Sequence, residues 1–298
     1  MLGLKKNIYL FRLKYPTCIL IKHLILITLK QTHMRQILQP LALLLIAGIA
    51  ITSCKKEAKE TAQNEISQEV FAKIANLGFN TSDVQVTDGG YLVEGDIFLS
   101  DANLNETPTS PNLRIAEVEQ YRTFNLVTGS PRTITVSTTG NISTSLSAGI
   151  DEAISRYNAE RIGLTFQRGG SNGGGTINIK LVNTGQYIAS SGFPSGGNPY
   201  PEVKYARIYQ NYSLGFLATV ITHEIGHCIG FRHTDYMNRA YSCGSGGNEG
   251  QATNGVGAVL IPGTPSTPDA ASFMLACLSA TTNRPFNNND KTALNYLY

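Results

Sequence analysis

The stretch His223-Glu224-Ile225-Gly226-His227-Cys228-Ile229-Gly230-Phe231-Arg232-His233 constrains this chain more than any other part of it. The chain has five histidines: His23 and His33 near the N-terminus, and three inside this one stretch. Leu214 to Ile229 reads as a helix of about 16 residues, stopped by Gly230. His223 and His227 are four apart, so their rings project from one helix face, a turn apart. That spacing suits two Zn–N bonds of ~2.0–2.1 Å to one ion. Gly230 can take a left-handed conformation, turn the chain sharply and bring His233 round as a third ligand. Three protein ligands leave an open position for water, the arrangement of a catalytic rather than a structural zinc. Glu224 is displaced around the helix from the ligands and can face that water as a general base.

Five fixed positions, each at about one in twenty, match by chance in roughly one chain in ten thousand of this length. A single histidine is most often a hydrogen-bonded core residue. Three at this spacing beside Glu224 and Gly230 are not explained that way, and a purely structural zinc site needs no base.

The motif resembles the HExxHxxGxxH signature of the metzincin clan of zinc peptidases, and its HEIGH string is most similar to the bacterial HEIGH-type metallopeptidases. The resemblance covers residues 119–298 by element order. It implies that His223, His227 and His233 bind one catalytic Zn2+, that Glu224 is the base, and that the substrate is a protein or peptide. It also implies an α+β catalytic domain with a twisted mixed sheet, an active-site helix and a C-terminal helix, preceded by a small N-terminal domain. The clan places a methionine turn beneath the metal. Ser272-Phe273-Met274 fits it, whereas Met237 follows His233 too closely for the chain to loop back. Astacin- and serralysin-like members carry a tyrosine two residues after that methionine; here the position is Ala276. A phenolic stabiliser must then come from elsewhere, with Tyr236, Tyr241 and Tyr205 as alternatives. Asp235 is either an acceptor that orients a ligand histidine or a loop cap.

A further resemblance lies upstream. Val93-Glu94-Gly95-Asp96-Ile97 is similar to the Phe-x-Gly-Asp-Ile segment of astacin pro-regions, with Val in place of Phe. There an aspartate ligates the zinc and displaces the water. This implies that Asp96 is a latency switch and that residues 55–118 are a latency segment. By alternation alone, Glu94 and Asp96 would be solvent-facing residues of a strand.

Charge argues about the rest of the chain. The seven basic residues before Cys54 have no acidic counterpart, and from Cys54 onward 17 basic residues face 21 acidic ones. A basic face for nucleic acid is not expected, so that partner class is set aside. Residues 41–52 form an apolar run too short to span a bilayer as a helix. It ends in Ile51-Thr52-Ser53-Cys54, which resembles a bacterial lipobox. The expected organisation is an upstream extension at 1–33, a lipoprotein signal at 34–53, a tether and pro-region-like domain at 54–118, and the catalytic domain at 119–298. Cys54 would carry the lipid and hold the exported protein at a membrane of the bacterial cell envelope. Of the remaining cysteines, Cys243 and Cys277 flank the site on loop segments and form the favoured disulfide, with Cys228 a buried helix residue; Cys228–Cys277 stays open as the alternative.

The pattern along the chain predicts a helix over 70–77, strands at 84–86 and 91–99 around a turn at 88–90, and a linker at 101–118. A strand at 133–136, a helix at 142–158 and strands at 164–166, 176–182 and 205–209 follow. The glycine-rich run 168–175 reads as a hairpin connection, since it lacks the Lys-Ser/Thr ending of a phosphate loop. The long loop at 244–268 suggests a binding role, residues 203–209 an edge strand for an extended substrate, and 290–298 a terminal helix. Two alternative functions remain open at this point: a surface lipoprotein that binds zinc without turnover, and a zinc hydrolase of a non-peptide amide.

Overall fold

The computed structural model describes residues 66–105, 120–248, 256–265 and 267–298. The expected signal segment, the expected lipid-attachment residue Cys54, most of the 101–118 linker and the centre of the 244–268 loop lie outside the described residues. Asn64–Tyr298 form one unit.

The described chain begins with α1 (Gln68–Asn76), whose N-terminal amide of Val70 donates to Ser67 Oγ. Gly78, with φ of 85°, ends it. β1 (Gln85–Thr87), β2 (Gly90–Val93) and β3 (Ile97–Ser100) make a three-stranded antiparallel sheet, followed by the short α2 (Asp101–Leu104). The expected single strand over 91–99 is two. Glu94 and Gly95 have φ of 56° and 87°, a left-handed turn that a strand cannot continue through, and Val93 then pairs with Ile97. Glu94 is consequently fully buried rather than solvent-facing. Ile74, Leu77, Phe79, Val93, Ile97, Leu99 and Leu104 pack together here, and Phe193 and Val256 of the larger body close their core.

The larger body is built on a five-stranded mixed sheet of order β6-β5-β7-β9-β8. After β4 (Tyr121–Arg122) come β5 (Arg132–Thr139), α3 (Thr144–Ala159), β6 (Leu164–Arg168), β7 (Ile177–Val182), β8 (Ala189–Ser190) and β9 (Glu202–Ala206). A 3-10 turn (Arg207–Tyr209) leads to α4 (Leu214–Ile229) and α5 (Ala240–Cys243). β10 (Val259–Leu260) pairs with β4, and α6 (Asn288–Leu297) closes the chain. β5, β6, β7 and β9 are parallel and β8 is antiparallel. The architecture is α+β with a mixed sheet, as the sequence implied.

Two details differ from expectation. The glycine-rich run does not close a hairpin, because β6 and β7 both lie parallel to β5, which sits between them. Glycine is needed there for close passage: a Cβ at Gly175 would stand 2.6 Å from the Thr135 carbonyl oxygen. Nor is 203–209 an edge strand. β9 is flanked by β7 and β8, so the free edge belongs to β8.

The sheet's apolar positions Ile134, Val136, Ile177 and Ile179 share one core with Leu146, Ile150 and Ala153 of α3 and Leu217, Val220, Ile221 and Ile225 of α4. Each of these Ile, Val and Leu side chains withdrawn from water stabilises the fold by about 1.5–3 kcal/mol before entropy is set against it. Gly149 lets the two helices approach, since a Cβ there would come within 2.6 Å of Leu217 Cβ. The result holds α4 buried along nearly its whole length, from Phe216 to Ile229. An active-site helix so enclosed has little freedom to shift, which fixes the rings it carries. Among the described residues no helix is long and apolar enough to cross a membrane.

Candidate metal centre

α4 starts at Ser213, whose Oγ accepts from the Phe216 amide, and ends at Gly230 with φ of 112°. A Cβ at Gly230 would also meet Leu126 Cδ2 at 2.8 Å, so glycine is required by both space and conformation. Beyond it the chain is pinned to the β4 segment: the Thr123 amide donates to the Gly230 carbonyl and the Arg232 amide to the Tyr121 carbonyl. This sharp, anchored turn carries His233 back toward the helix.

The three histidine rings converge. His227 Nε2 lies 3.1 Å from His223 Nε2 and 3.2 Å from His233 Nε2. Asp96 Oδ2 completes the group, 3.3 Å from His223 Nε2 and 3.2 Å from His233 Nε2. Four ligands at ~2.0–2.1 Å in a tetrahedron stand about 3.3 Å apart, close to these four edges. His223 Nδ1 is 2.8 Å from the Phe273 carbonyl and His227 Nδ1 is 2.8 Å from the Phe231 carbonyl. With the proton on Nδ1 donated to those carbonyls, each Nε2 lone pair faces the common point. The fit to a metal ion is supported from within the protein. Lone pairs crowded this closely repel unless a cation lies between them, and Asp96 Oδ1 is buried without a hydrogen-bond partner. These four residues are the group that could hold an ion among the described residues.

Electrostatics follow from the enclosure. Burial, with the neighbouring His223 and His233, keeps His227 well below its usual range and therefore neutral, the form that ligates. Burial pushes the Asp96 carboxyl up, but His233 and the contacts from His223 and His233 outweigh it and hold it well below the usual carboxylate range. Burial first, and then the charge of Asp96, push Glu224 well above that range.

Glu224 lies beside the ligands, 2% exposed. Its Oε2 accepts from Ser191 Oγ at 2.7 Å, and the same hydroxyl lies 3.0 Å from its backbone carbonyl. A cavity of about 220 Å³ opens at Asp96, His223 and Glu224. Its walls include Tyr187 and Ala189 on one side and Ala276 and Cys277 on the other. Of the three tyrosines named above, Tyr205 and Tyr236 are buried elsewhere, and none lines this cavity. Tyr187 does, and the sequence offers no signal for it or for Ser191, because they flank the two-residue strand β8 (Ala189–Ser190) and reach the site only through residues over thirty positions away.

Met274 is fully buried with its Sδ against Gly226 of α4, and its carbonyl accepts from the Thr234 amide. Asp235 takes the loop-capping role, accepting from Ser242 Oγ at 2.6 Å and from the Ala276 amide at 3.0 Å. Cys243 and Cys277 are joined in a disulfide and Cys228 is a buried free thiol.

The model of the dual-action HEIGH metallo-peptidase family matches residues 91–298. The chain belongs to that family. The match starts within β2 of this metallopeptidase and so includes the Glu94-Gly95-Asp96 turn together with the three histidines. Two solved structures of myroilysin are similar in fold. One has 16% identity and a TM-score of 0.41, covering 58% of this chain and 96% of its own. The other has 16% identity and a TM-score of 0.37, covering 56% and 83%. No curated protein matches the chain.

Proposed function

We propose that this metallopeptidase is a zinc-dependent endopeptidase of metzincin type, held latent by Asp96 and using Glu224 as its general base. The observation that carries the reading is the convergence of the His223, His227, His233 and Asp96 donor atoms within 4.8 Å of one another, with Glu224 next to His223 on the same helix. Three neutral imidazoles and one carboxylate suit zinc, and three histidines with an exchangeable fourth position suit a catalytic ion. Zinc held there supplies a Lewis acid for a peptide carbonyl and acidifies a coordinated water toward a pKa of ~7.

The chain's own groups do the rest. Glu224 accepts the proton of the attacking water and returns it to the leaving amine. Ser191 aims the carboxylate by its 2.7 Å hydrogen bond. The Phe273 and Phe231 carbonyls orient the His223 and His227 rings. Asp96 occupies the place the water needs, so its side chain must leave before turnover. The backbone reinforces the block: the Phe98 amide donates to the Ser191 carbonyl at 2.7 Å and the Ser191 amide to the Asp96 carbonyl at 3.0 Å. The latent segment thus covers the chain just beyond the β8 edge, where an extended substrate could add a strand. Cys54 is the proposed lipid attachment that places the enzyme at a membrane of the cell envelope.

The test uses residues 55–298 with bound zinc quantified, a mixed peptide library, and the Asp96→Ala and Asp96→Ala/Glu224→Ala variants. Near-stoichiometric zinc with cleavage by Asp96→Ala, lost on removing Glu224, is expected. A folded, zinc-loaded Asp96→Ala protein that cuts nothing would leave a zinc-binding protein instead.

A further inference from the structure

Two arginines of the larger body, Arg232 and Arg239, meet two carboxylates of the N-terminal segment, Glu94 and Asp83. Arg232 Nη2 lies 3.3 Å from both oxygens of Glu94, and both side chains are fully buried. Arg239 Nη1 lies 3.3 Å from Asp83 Oδ2, and its other terminal nitrogen is close to Gly95. Arg239 lines the cavity at the metal centre, as does Glu94. Glu94 Oε2 is 3.9 Å from His233 Nδ1, so the carboxylate that meets Arg232 sits beside a proposed ligand.

Burying a charged pair in a protein interior costs several kcal/mol per ion in desolvation. The segment therefore had a cheaper way to cover this surface, with apolar side chains. It brings carboxylates instead, which matches it to cations that belong to the body. The Arg232 guanidinium is held from the body side by donation from Nη1 to the Val256 carbonyl at 2.7 Å and by the Phe193 ring at 5.8 Å. On the other side lie Glu94 and the Phe79 ring, 4.3 Å away. When the segment withdraws, Glu94 and Phe79 go with it, while Val256 and Phe193 stay. The fork then points, still oriented, into the space that Glu94 filled.

We infer that Arg232, assisted by Arg239, forms a subsite that selects peptides with an acidic side chain close to the scissile bond. The inference rests on the latent-peptidase reading above, in which the 66–105 segment occupies the cleft. Glu94 is then the intramolecular stand-in for the substrate's Asp or Glu. The Arg232 Nη2 faces both oxygens of the Glu94 carboxylate, whereas a neutral amide of the same shape has one accepting oxygen and turns an N–H toward the cation, so the subsite should discriminate Glu from Gln.

The experiment uses the full chain carrying Glu94→Ala/Asp96→Ala, which empties the cleft of both carboxylates. Cleavage is read on a peptide library. Binding is read separately by fluorescence anisotropy in the same protein with Glu224→Ala, using labelled pentapeptides Ala-Ala-Glu-Ala-Ala, its Gln twin and its Lys twin. The Glu peptide should bind at least about tenfold tighter than the Gln twin, with Lys weakest, and cuts should cluster beside Asp and Glu. Arg232→Gln should abolish the preference and Arg232→Lys retain part of it. If Arg232→Gln does not fold, the Glu, Gln and Lys ranking in the parent decides alone. Acid preference in binding without any cleavage supports the subsite and sinks the peptidase reading. Equal binding of the three peptides overturns the subsite, whatever the cleavage.

Discussion

Gly226 lies directly against Met274: a Cβ on Gly226 would stand 2.5 Å from Met274 Sδ and 2.8 Å from Phe273 Cε2. The fourth letter of the HEIGH string is therefore a packing requirement. The helix carrying two proposed ligands packs against Phe273 and Met274 at a position where it has glycine in place of a side chain. Phe273 also gives its carbonyl to His223 Nδ1, so any displacement of the turn moves a ligand ring. Gly226→Ala gains helix propensity but overpacks this contact, and overpacking costs typically about 1–3 kcal/mol. Urea unfolding should show that loss, and zinc titration should show weaker binding. An alanine variant as stable as the parent would contradict the close packing.

Asp96 meets His223 and His233 through one oxygen, Oδ2. Its removal opens the fourth position and leaves His223, His227 and His233 in place. On the proposed latency, Asp96→Ala should keep about one zinc per chain while peptide cleavage rises from background by roughly 10²-fold or more. Asp96→Asn, a weaker ligand of the same shape, should fall between. Loss of bound zinc in Asp96→Ala, measured by elemental analysis, would mean that the aspartate builds the site instead of closing it.

In the Asp96→Ala protein, Glu224→Gln removes the proposed base but keeps the shape and an acceptor for Ser191 Oγ. General acid–base groups contribute typically about 10²–10⁴-fold. The turnover number should drop by that amount with zinc content and peptide affinity unchanged. A variant that retains turnover would assign the proton transfer to another group.

How much of this was legible in the sequence depends on the range of the signal. The histidine spacing, the Gly230 stop and the glutamate between the proposed ligands are local, and the helix period alone places His223 and His227 on one face with Glu224 turned aside from them. The long elements α3, α4, β5 and β7 carry enough alternation or 3.6-residue spacing to be read. Ser191 and Tyr187 were invisible because they matter through contacts with residues over thirty positions away. The turn at Glu94-Gly95 was misread as continuous strand because hydrophobic alternation says nothing about a positive φ at a glutamate. The β6–β5–β7 order could not be read either. Which strands pair is decided by the whole sheet, and a glycine-rich link serves a hairpin and a parallel crossing equally well.

The Cys243–Cys277 disulfide ties α5 to the wall of the cavity. It works with Asp235, whose two oxygens hold Ser242 Oγ and the Ala276 amide, while the Cys277 amide donates to Ser242 Oγ at 3.0 Å. The bridge closes a separation of 34 residues, and closing a loop of that size in the unfolded chain is worth ~3–4 kcal/mol on the entropic account. Cys243→Ala/Cys277→Ala should therefore lower unfolding stability by about that amount. The Asp235 network still holds Ala276, so the proposed ligands and Glu224 should keep their geometry and zinc should remain bound. The wall formed by Ala276, Cys277 and Leu278 loses its covalent tether. In the Asp96→Ala background, KM for peptides should rise several-fold while kcat changes less than twofold. A fall in kcat at constant KM would show that the bridge supports the catalytic groups themselves and not the substrate wall.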